Sequence, residues 1–336
     1  MSHPFSLVFY NTENFYDTID DPETMDDEYT PEGKLNWTES RFNRKVRNIS
    51  KVLKNVLHPN FSDIIALAEV ENLYVLERLI RHENLSQNPY RVIHHKNALE
   101  NAYQIVHYDS PDERGSDVAL IYNSNTFEVI HSEPILVHLD GVEDRTRDIL
   151  YVKGKTKNKK ELHILITHFP SRREGTEKSE HRRLFVASVL KKQADKILRE
   201  NPDANLIILG DFNDEPDNRS IQSVIKAREP RMPYSKEELY NLMYDCMKRG
   251  IGSTYYKEWL LFDQIIVSGN LLFEESGFSC KPQDADVYNP RYLFFHDKNM
   301  KMLQPNRTYD NGKYHGGYSD HLPVFLKMQL IFNHSN

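Results

Sequence analysis

Short β-prone apolar runs recur along this chain, and several of them break off at Asn, Glu, His or Asp. Leu7-Val8-Phe9-Tyr10 leads into Asn11, and Ile64-Ile65-Ala66-Leu67-Ala68 into Glu69. Ile164-Leu165-Ile166-Thr167 leads into His168, and Leu206-Ile207-Ile208-Leu209-Gly210 into Asp211, Phe212 and Asn213. Phe262-Asp263-Gln264-Ile265-Ile266-Val267 carries an acid where a strand starts, and Tyr318-Ser319-Asp320-His321 precedes the last run, Val324 to Leu330. Loops at strand ends are where layered α/β proteins place their sites. Packing alone does not explain so many polar residues at equivalent points.

Further runs at Val118 to Tyr122, Phe127 to Ile130 and Ile149 to Val152 read as strands. Thr38 is placed to cap a helix in which Phe42, Val46, Ile49, Val52, Leu53, Val56 and Leu57 recur at three- and four-residue spacings. Its other faces carry Arg41, Arg44, Lys45, Arg47, Lys51 and Lys54, which reads first as a solvated surface and second as one that attracts phosphate. More helices are expected near Tyr74 to Arg81, from Thr176 to Arg199, and after Asp217. Strands interleaved with helices, some strands directly adjacent, predict two packed sheets with helices outside, hence a four-layered α/β sandwich of two mixed β-sheets. No repeat and no Pro/Gly/Ser linker divides the 336 residues, so residues 1–336 are expected to form a single domain. Asp17 to Trp37 and Cys280 to Tyr318 read as loop insertions.

Composition narrows the classes. With 39% hydrophobic and 28% charged residues and a mean hydropathy of -0.67, the chain is globular rather than disordered or fibrous. No apolar stretch reaches the 18 or so residues of a membrane span, so no membrane insertion is expected. The first residues lack a basic n-region, which predicts a cytoplasmic protein, or a secreted or periplasmic one if a leader has been removed. Cys246 and Cys280 make no disulfide framework and are expected to be free. A net charge of -7 disfavours tight nonspecific binding to a duplex.

Singly, each strand-end residue has an ordinary explanation as a turn, cap or surface group. Together, and in this order, they resemble the endonuclease/exonuclease/phosphatase superfamily, which includes deoxyribonuclease-like enzymes, abasic-site endonucleases, inositol polyphosphate phosphatases, sphingomyelinases and deadenylases. The resemblance runs from Asn11 to His321, and Gly210-Asp211-Phe212-Asn213 and Ser319-Asp320-His321-Leu322-Pro323-Val324 are its most specific parts. It implies that Asn11, Glu69 and Asp320 lie at a metal, with Glu69 a direct ligand. Oxygen donors of this kind suit Mg²⁺ or Mn²⁺. Asp211 would activate the attacking water, Asn213 would hold that aspartate or the phosphate, and His321, oriented by Asp263, would stabilise the phosphoryl charge. His168 stands where deoxyribonuclease-like members carry a catalytic histidine.

The physical logic holds without the resemblance. A phosphate ester repels hydroxide, so hydrolysis needs a cation, donors on the nonbridging oxygens, an in-line water and an acid for the leaving oxygen. A carboxylate beside each histidine would favour its imidazolium; Asp263 is expected beside His321, and Asp117 beside His168. Arg147 and Arg172, with Arg173, are candidate phosphate contacts, because a guanidinium binds phosphate bidentately. The remaining histidines, His94, His95, His296 and His315 among them, read as structural or surface groups. The expected activity is metal-dependent phosphodiester hydrolysis of nucleic acid, DNA in preference to RNA. A small phosphorylated metabolite, inositol phosphate or lipid headgroup is the alternative substrate, and a noncatalytic binding protein on the same fold is a further one. No protein partner can be inferred. Discrimination among substrates is expected to reside in Asp17 to Trp37 and Cys280 to Tyr318.

Overall fold

A computed structural model describes residues 2–57, 62–85, 102–138, 146–173, 175–296 and 303–332. Two mixed sheets of seven strands lie face to face. The first is built from β1 (Ser2–Phe15), β2 (Ile64–Val70), β3 (Tyr103–His107) and β4 (Asp117–Asn123), joined late in the chain by three more strands. The second contains β5 (Phe127–Ile135), β6 (Ile149–Thr156), β7 (Glu161–His168), β8 (Leu206–Asp211), β9 (Ala227–Arg228) and β10 (Leu239–Asn241). A ribbon of β11 (Thr254–Tyr256) and β12 (Glu258–Leu260) then precedes β13 (Asp263–Ser268), which completes the second sheet. β14 (Phe278–Ser279), β15 (Ala285–Val287) and the final strand close the first; between them stand ribbons β16 (Phe294–His296) with β17 (Leu303–Pro305), and β18 (Tyr309–Asp310) with β19 (Lys313–Tyr314). The final strand, β20 (Val324–Ile331), pairs antiparallel with β1, which runs parallel to β2.

Two-sided burial explains the near-continuous apolar strands. Along β7, Leu162, Ile164 and Ile166 join the core between the sheets, whereas Leu165 faces outward and packs with Val186, Ala187 and Leu190 of α3 (Thr176–Glu200). In β8, Ile207 and Leu209 face inward and Leu206 and Ile208 outward. The first sheet is covered by α1 (Glu39–Val56) and α2 (Leu73–Ile80). Helix, sheet, sheet and helix make the four layers that the sequence predicts. Each fully buried Leu or Ile contributes about 1.5–3 kcal/mol.

Three local expectations need correction. Thr38 occupies the N-cap of α1, but its side chain makes no capping bond; its carbonyl accepts from Arg41 and Phe42. The helix after Asp217 is a single wide turn, Ser220–Ile225. Cys280 to Tyr318 is not loop throughout, because β15 pairs with β20 and extends the first sheet. The described part of that segment also reaches part of the basic side of α1: Arg41 lies 4.2 Å over the Tyr314 ring, Lys51 lies 4.8 Å over Tyr292, and Lys45 is buried, while Arg44, Arg47, Lys51 and Lys54 stay exposed as a solvated face would have them. Cys246 and Cys280 are buried and free.

Candidate active site

Strand register assembles the site. His168 pairs with Asp211 across β7 and β8, and Asp211 pairs with Asp263 across β8 and β13, so three adjacent strands of one sheet deliver these residues side by side. Gly210 permits this, since a Cβ there would stand 2.4 Å from the Thr167 carbonyl oxygen. Opposite, β1 and β2 are paired as far as Asn11 and Ala68 before both become irregular. Glu69 falls in the irregular step of β2 with φ 59°, and Glu13 and Asn14 follow Asn11 with φ 52° and 51°. Such bulges re-aim side chains beside active sites, and left-handed backbone at non-glycine residues costs of order 1–3 kcal/mol each.

The side chains interlock. Asn11 Nδ2 donates to Asp211 Oδ2 at 3.0 Å and to Glu69 Oε1 at 3.3 Å, bridging the two carboxylates, while its Oδ1 accepts from Glu13 N at 3.0 Å. Asn14 N donates to Glu69 Oε2 at 2.8 Å. Asn213 N donates to Asp211 Oδ1 at 2.9 Å, and the Asn213 amide braces the Phe169 carbonyl at 3.0 Å. His321 Nδ1 meets Asp263 Oδ2 at 2.6 Å, leaving Nε2 3.8 Å from Asp211 Oδ2. Ser319 Oγ accepts from His321 N and donates to the Asn11 carbonyl, tying the approach to β20 to the end of its neighbour β1.

Electrostatics follow from burial and neighbours. Burial disfavours a charged His321, but Asp263 and Asp211 outweigh it and hold the imidazole well above its ordinary value. Burial, with Asp263 adding to it, pushes Asp211 up to about 7 against the pull of His321. Burial would raise Glu69 too, yet His168, Arg114, Arg147 and His321 lower it to about 2, so it stays ionised. His168 goes the other way. Burial and then Arg147 push it well below the usual histidine range, with Nε2 3.5 Å from Asp211 Oδ2 and 3.8 Å from Glu69 Oε1, and Nδ1 buried without a partner.

Several predicted roles shift. Asp117 does not orient His168; it bonds His107 Nε2 at 3.0 Å and accepts from Ser110 N at 2.9 Å. The reason is β3, a strand unmarked in the sequence reading, which brings His107 to Asp117 first. Arg172 turns away from the cluster: it donates to the Asn213 carbonyl, to Asp214 Oδ1 and to Asn218 Oδ1, each at 2.6 Å, and stacks over Phe262 at 4.8 Å. Its fork therefore clamps the loop after Asp211. Arg173 is exposed. Arg147 is buried with Nε 3.3 Å from Asp112 Oδ2, behind Glu69. Asp320 lies 3.4 Å from Arg307 Nη2, and its charge also reaches His321 and Glu13. His315 packs against Phe295, while His94, His95 and the side chain of His296 lie outside the described residues.

Two contributors escaped the sequence reading. Arg114 lends its charge to Glu69, although its place three residues before Asp117 was visible in the Arg114-Gly115-Ser116-Asp117 run. Glu13 and Lys45 form a buried pair at 3.6 Å behind Asn11, with nothing in the sequence to mark either as buried. As to a metal, the residues converging here offer carboxylate oxygens and no thiol, a donor set that fits a hard divalent cation, while Asn11 turns its amide nitrogen to those carboxylates. Glu69 is the best-placed ligand because the surrounding cations hold it ionised despite its burial. Asp211, Asp263 and His321 also approach one another within 4.8 Å, but Asp263 occupies Nδ1 of His321, so that trio is a paired histidine.

Known proteins agree with this architecture. A family model described as Endonuclease/Exonuclease/phosphatase family matches residues 6–330. Protein angel of Drosophila melanogaster is 25% identical over 162 residues, 46% of this chain and 44% of that protein, so the match spans under half of that relative. Among solved structures, TDP2 of D. rerio complexed with single strand DNA product aligns with TM-score 0.57 and 12% identity over 97% of this chain and 98% of its own. An endonuclease/exonuclease/phosphatase from Bacteroides vulgatus aligns with TM-score 0.57 and 15% identity over 98% and 99%. The human Nocturnin catalytic domain with bound sulfate aligns with TM-score 0.53 and 16% identity over 97% and 94%.

Proposed function

The chain belongs to the endonuclease/exonuclease/phosphatase family, whose members are metal-dependent phosphoesterases, and from that premise we propose that it hydrolyses phosphodiesters of nucleic acid, DNA in preference to RNA, with Mg²⁺ or Mn²⁺. The observation that carries the reading is the buried His321, kept charged by Asp263 and set beside Asp211. Such a cation in a water-poor cleft is a donor for a nonbridging phosphoryl oxygen, whose charge grows in the transition state. Asp211, bridged by Asn11 and held by the Asn213 backbone, accepts the proton of the attacking water. His168, neutral as burial leaves it and with Nε2 toward Asp211 and Glu69, serves as a positioning donor, and protonates the leaving oxygen when charged. Glu69, with Asn11 and Asn14 fixing its oxygens, and Asp320 on the far side would hold the metal. A bound divalent cation would neutralise phosphate charge that otherwise repels the nucleophile.

Support for nucleic acid rather than another ester comes from His168, and from the D. rerio neighbour that binds a single-stranded DNA product on the same fold. A specific observation favours the second reading, a small phosphorylated metabolite. The chain carries a charge of -7, and the fork of Arg172 is spent on the protein itself. A panel of plasmid DNA, RNA, inositol phosphates and a generic diester, each with Mg²⁺, with Mn²⁺ and with EDTA, decides between them. Metal-dependent cleavage of DNA is expected. Turnover confined to a small phosphate ester would establish the alternative, and cleavage undiminished by EDTA would overturn the metal assignment.

A further inference from the structure

One face of α1 carries charge that no described carboxylate answers. Arg41, Arg44, Arg47, Lys51 and Lys54 recur at spacings of three and four residues, so they form a single stripe, and the axial reach from Arg41 to Lys54 is about 20 Å. Among the described residues none of the five forms an ion pair. Glu39, the one acid of the helix, turns to Arg78 and Asn43, and Asp310 of the neighbouring ribbon is taken up by Arg307. Tyrosine rings lie along the stripe: Arg41 rests over Tyr314, and Lys51 rests over Tyr292 and donates to Tyr318 Oη at 3.3 Å. Arg44 lies against Gly316, where a Cβ would stand 2.8 Å from its Nε. Asn48 Nδ2 ties that segment to the helix, donating to the Gly316 and Gly317 carbonyls at 3.1 and 2.6 Å. The Arg41 end approaches the catalytic centre through three hydrogen bonds in series: Arg41 Nη1 to Tyr309 Oη at 3.4 Å, Tyr309 N to Glu13 Oε1 at 3.3 Å, and Glu13 N to Asn11 Oδ1 at 3.0 Å.

We propose that this stripe is an exosite for a single strand of nucleic acid, holding it away from the phosphate that is cleaved. The inference rests on the nucleic-acid reading of the catalytic centre and adds where the rest of the strand is gripped. Length selects a strand over a small phosphate compound: about 20 Å is the axial length of roughly six stacked nucleotides at about 3.4 Å each, whereas a lone phosphate engages one or two of the cations. One row of cations follows one backbone, and the half-buried tyrosine rings beside it offer faces on which bases stack without regard to sequence. Every exposed residue of α1 is polar, so the face has no apolar side chain to enter a lipid surface. The rings also hold Arg41 and Lys51 in place, and a cation already held loses less freedom when a phosphate arrives.

Fluorescence anisotropy of a labelled oligothymidylate of about twelve nucleotides, twice the length the stripe spans, tests this in EDTA, where binding is read apart from cleavage. Arg44→Gln, Arg47→Gln, Lys51→Gln and Lys54→Gln together should flatten the log–log salt dependence of binding by about 2.8, at roughly 0.7 per phosphate contact on a single strand. Arg44 and Lys51 also pack on the segment that carries Tyr314 and Tyr318. The double variant Arg47→Gln/Lys54→Gln, whose side chains lie over no ring, therefore separates charge from packing and should flatten the slope by about 1.4. Both variants should cleave a dinucleotide diester, too short to span the stripe and the centre, as the wild type does. An unchanged slope in the double variant would overturn the exosite. Tighter wild-type binding to the matching duplex, to polyglutamate or to phosphatidylserine vesicles would overturn its assignment to a single strand. Stripe-dependent strand binding by a protein that cleaves no nucleic acid would sink the reading of the centre and leave the exosite standing, and a nuclease whose double variant binds as the wild type does would do the reverse.

Discussion

Lys45 of α1 reaches through the fold to place Nζ 3.6 Å from Glu13 Oε2, and both side chains are buried. The pair also pins the segment that leads to His321: Lys45 donates to Thr308 Oγ1 at 2.5 Å and to the Tyr318 carbonyl at 3.0 Å, and Glu13 accepts from Thr308 N at 2.6 Å. Removing one partner strands the other charge without water. Lys45→Met is therefore expected to cost about 3–5 kcal/mol, and adding Glu13→Gln should return part of it. Urea unfolding of the two single variants and the double variant checks the coupling. Additive losses would mean that the pair is not energetically linked.

Glu69→Gln should keep the fold and lose the metal. The amide retains the shape and its one oxygen can still accept from Asn11 Nδ2 or from Asn14 N, but not from both, and the charge that a divalent ion requires is gone. Calorimetric titration with Mn²⁺ compares the proteins, and equal affinity would remove Glu69 as a ligand.

His321→Ala should lower turnover on an unactivated diester by about 10² or more, the usual scale for a charge-stabilising donor, and Asp263→Asn should follow in the same direction. The corresponding His168→Ala variant should recover on a substrate with a very acidic leaving group, which departs without a proton. Failure to recover would assign His168 to positioning rather than to proton transfer.

Arg172→Ala should act on stability. Three donor contacts to the loop from Asn213 to Asn218 are lost, one of them to a carboxylate, at a cost of about 1.5–3 kcal/mol. The salt dependence of nucleic-acid binding should stay as in the wild type. A slope flattened by about 0.7 to 0.9 would instead return Arg172 to the phosphate backbone.

His163, away from the site, sets a pH dependence of stability. Burial, and next the Lys153 charge, lower its pKa to about 4, with Tyr151 Oη 2.8 Å from Nδ1. The unfolded chain, near 6.5, then binds a proton that the folded one refuses. This contribution is complete above pH 6.5 and is lost as pH falls toward 4, and it amounts to on the order of 2 kcal/mol. Denaturation of the wild type and of His163→Gln at pH 7 and pH 4.5 measures it, and the variant should lose less stability on acidification.

Local pattern determined much of this protein. Runs apolar on both faces specified strands buried on both sides, and the polar residues next to those runs specified the end of the sheets where they gather; the convergence of Glu69, Asp211, Asp263 and His321 was legible because a strand fixes the position of the residues at and beside its ends. Partnership was not legible, because it depends on which strand becomes a neighbour. Asp117 went to His107 because β3, too polar to announce itself, pairs with β4 as the edge strand of the first sheet. Arg172 went to Asp214 because α3 and the loop after β8 close around it. Lys45 looked solvated by helical periodicity alone, and only the return of residues 306–318 across α1 buried it. Sequence encodes what one element presents to its surroundings, and long-range packing decides what those surroundings are.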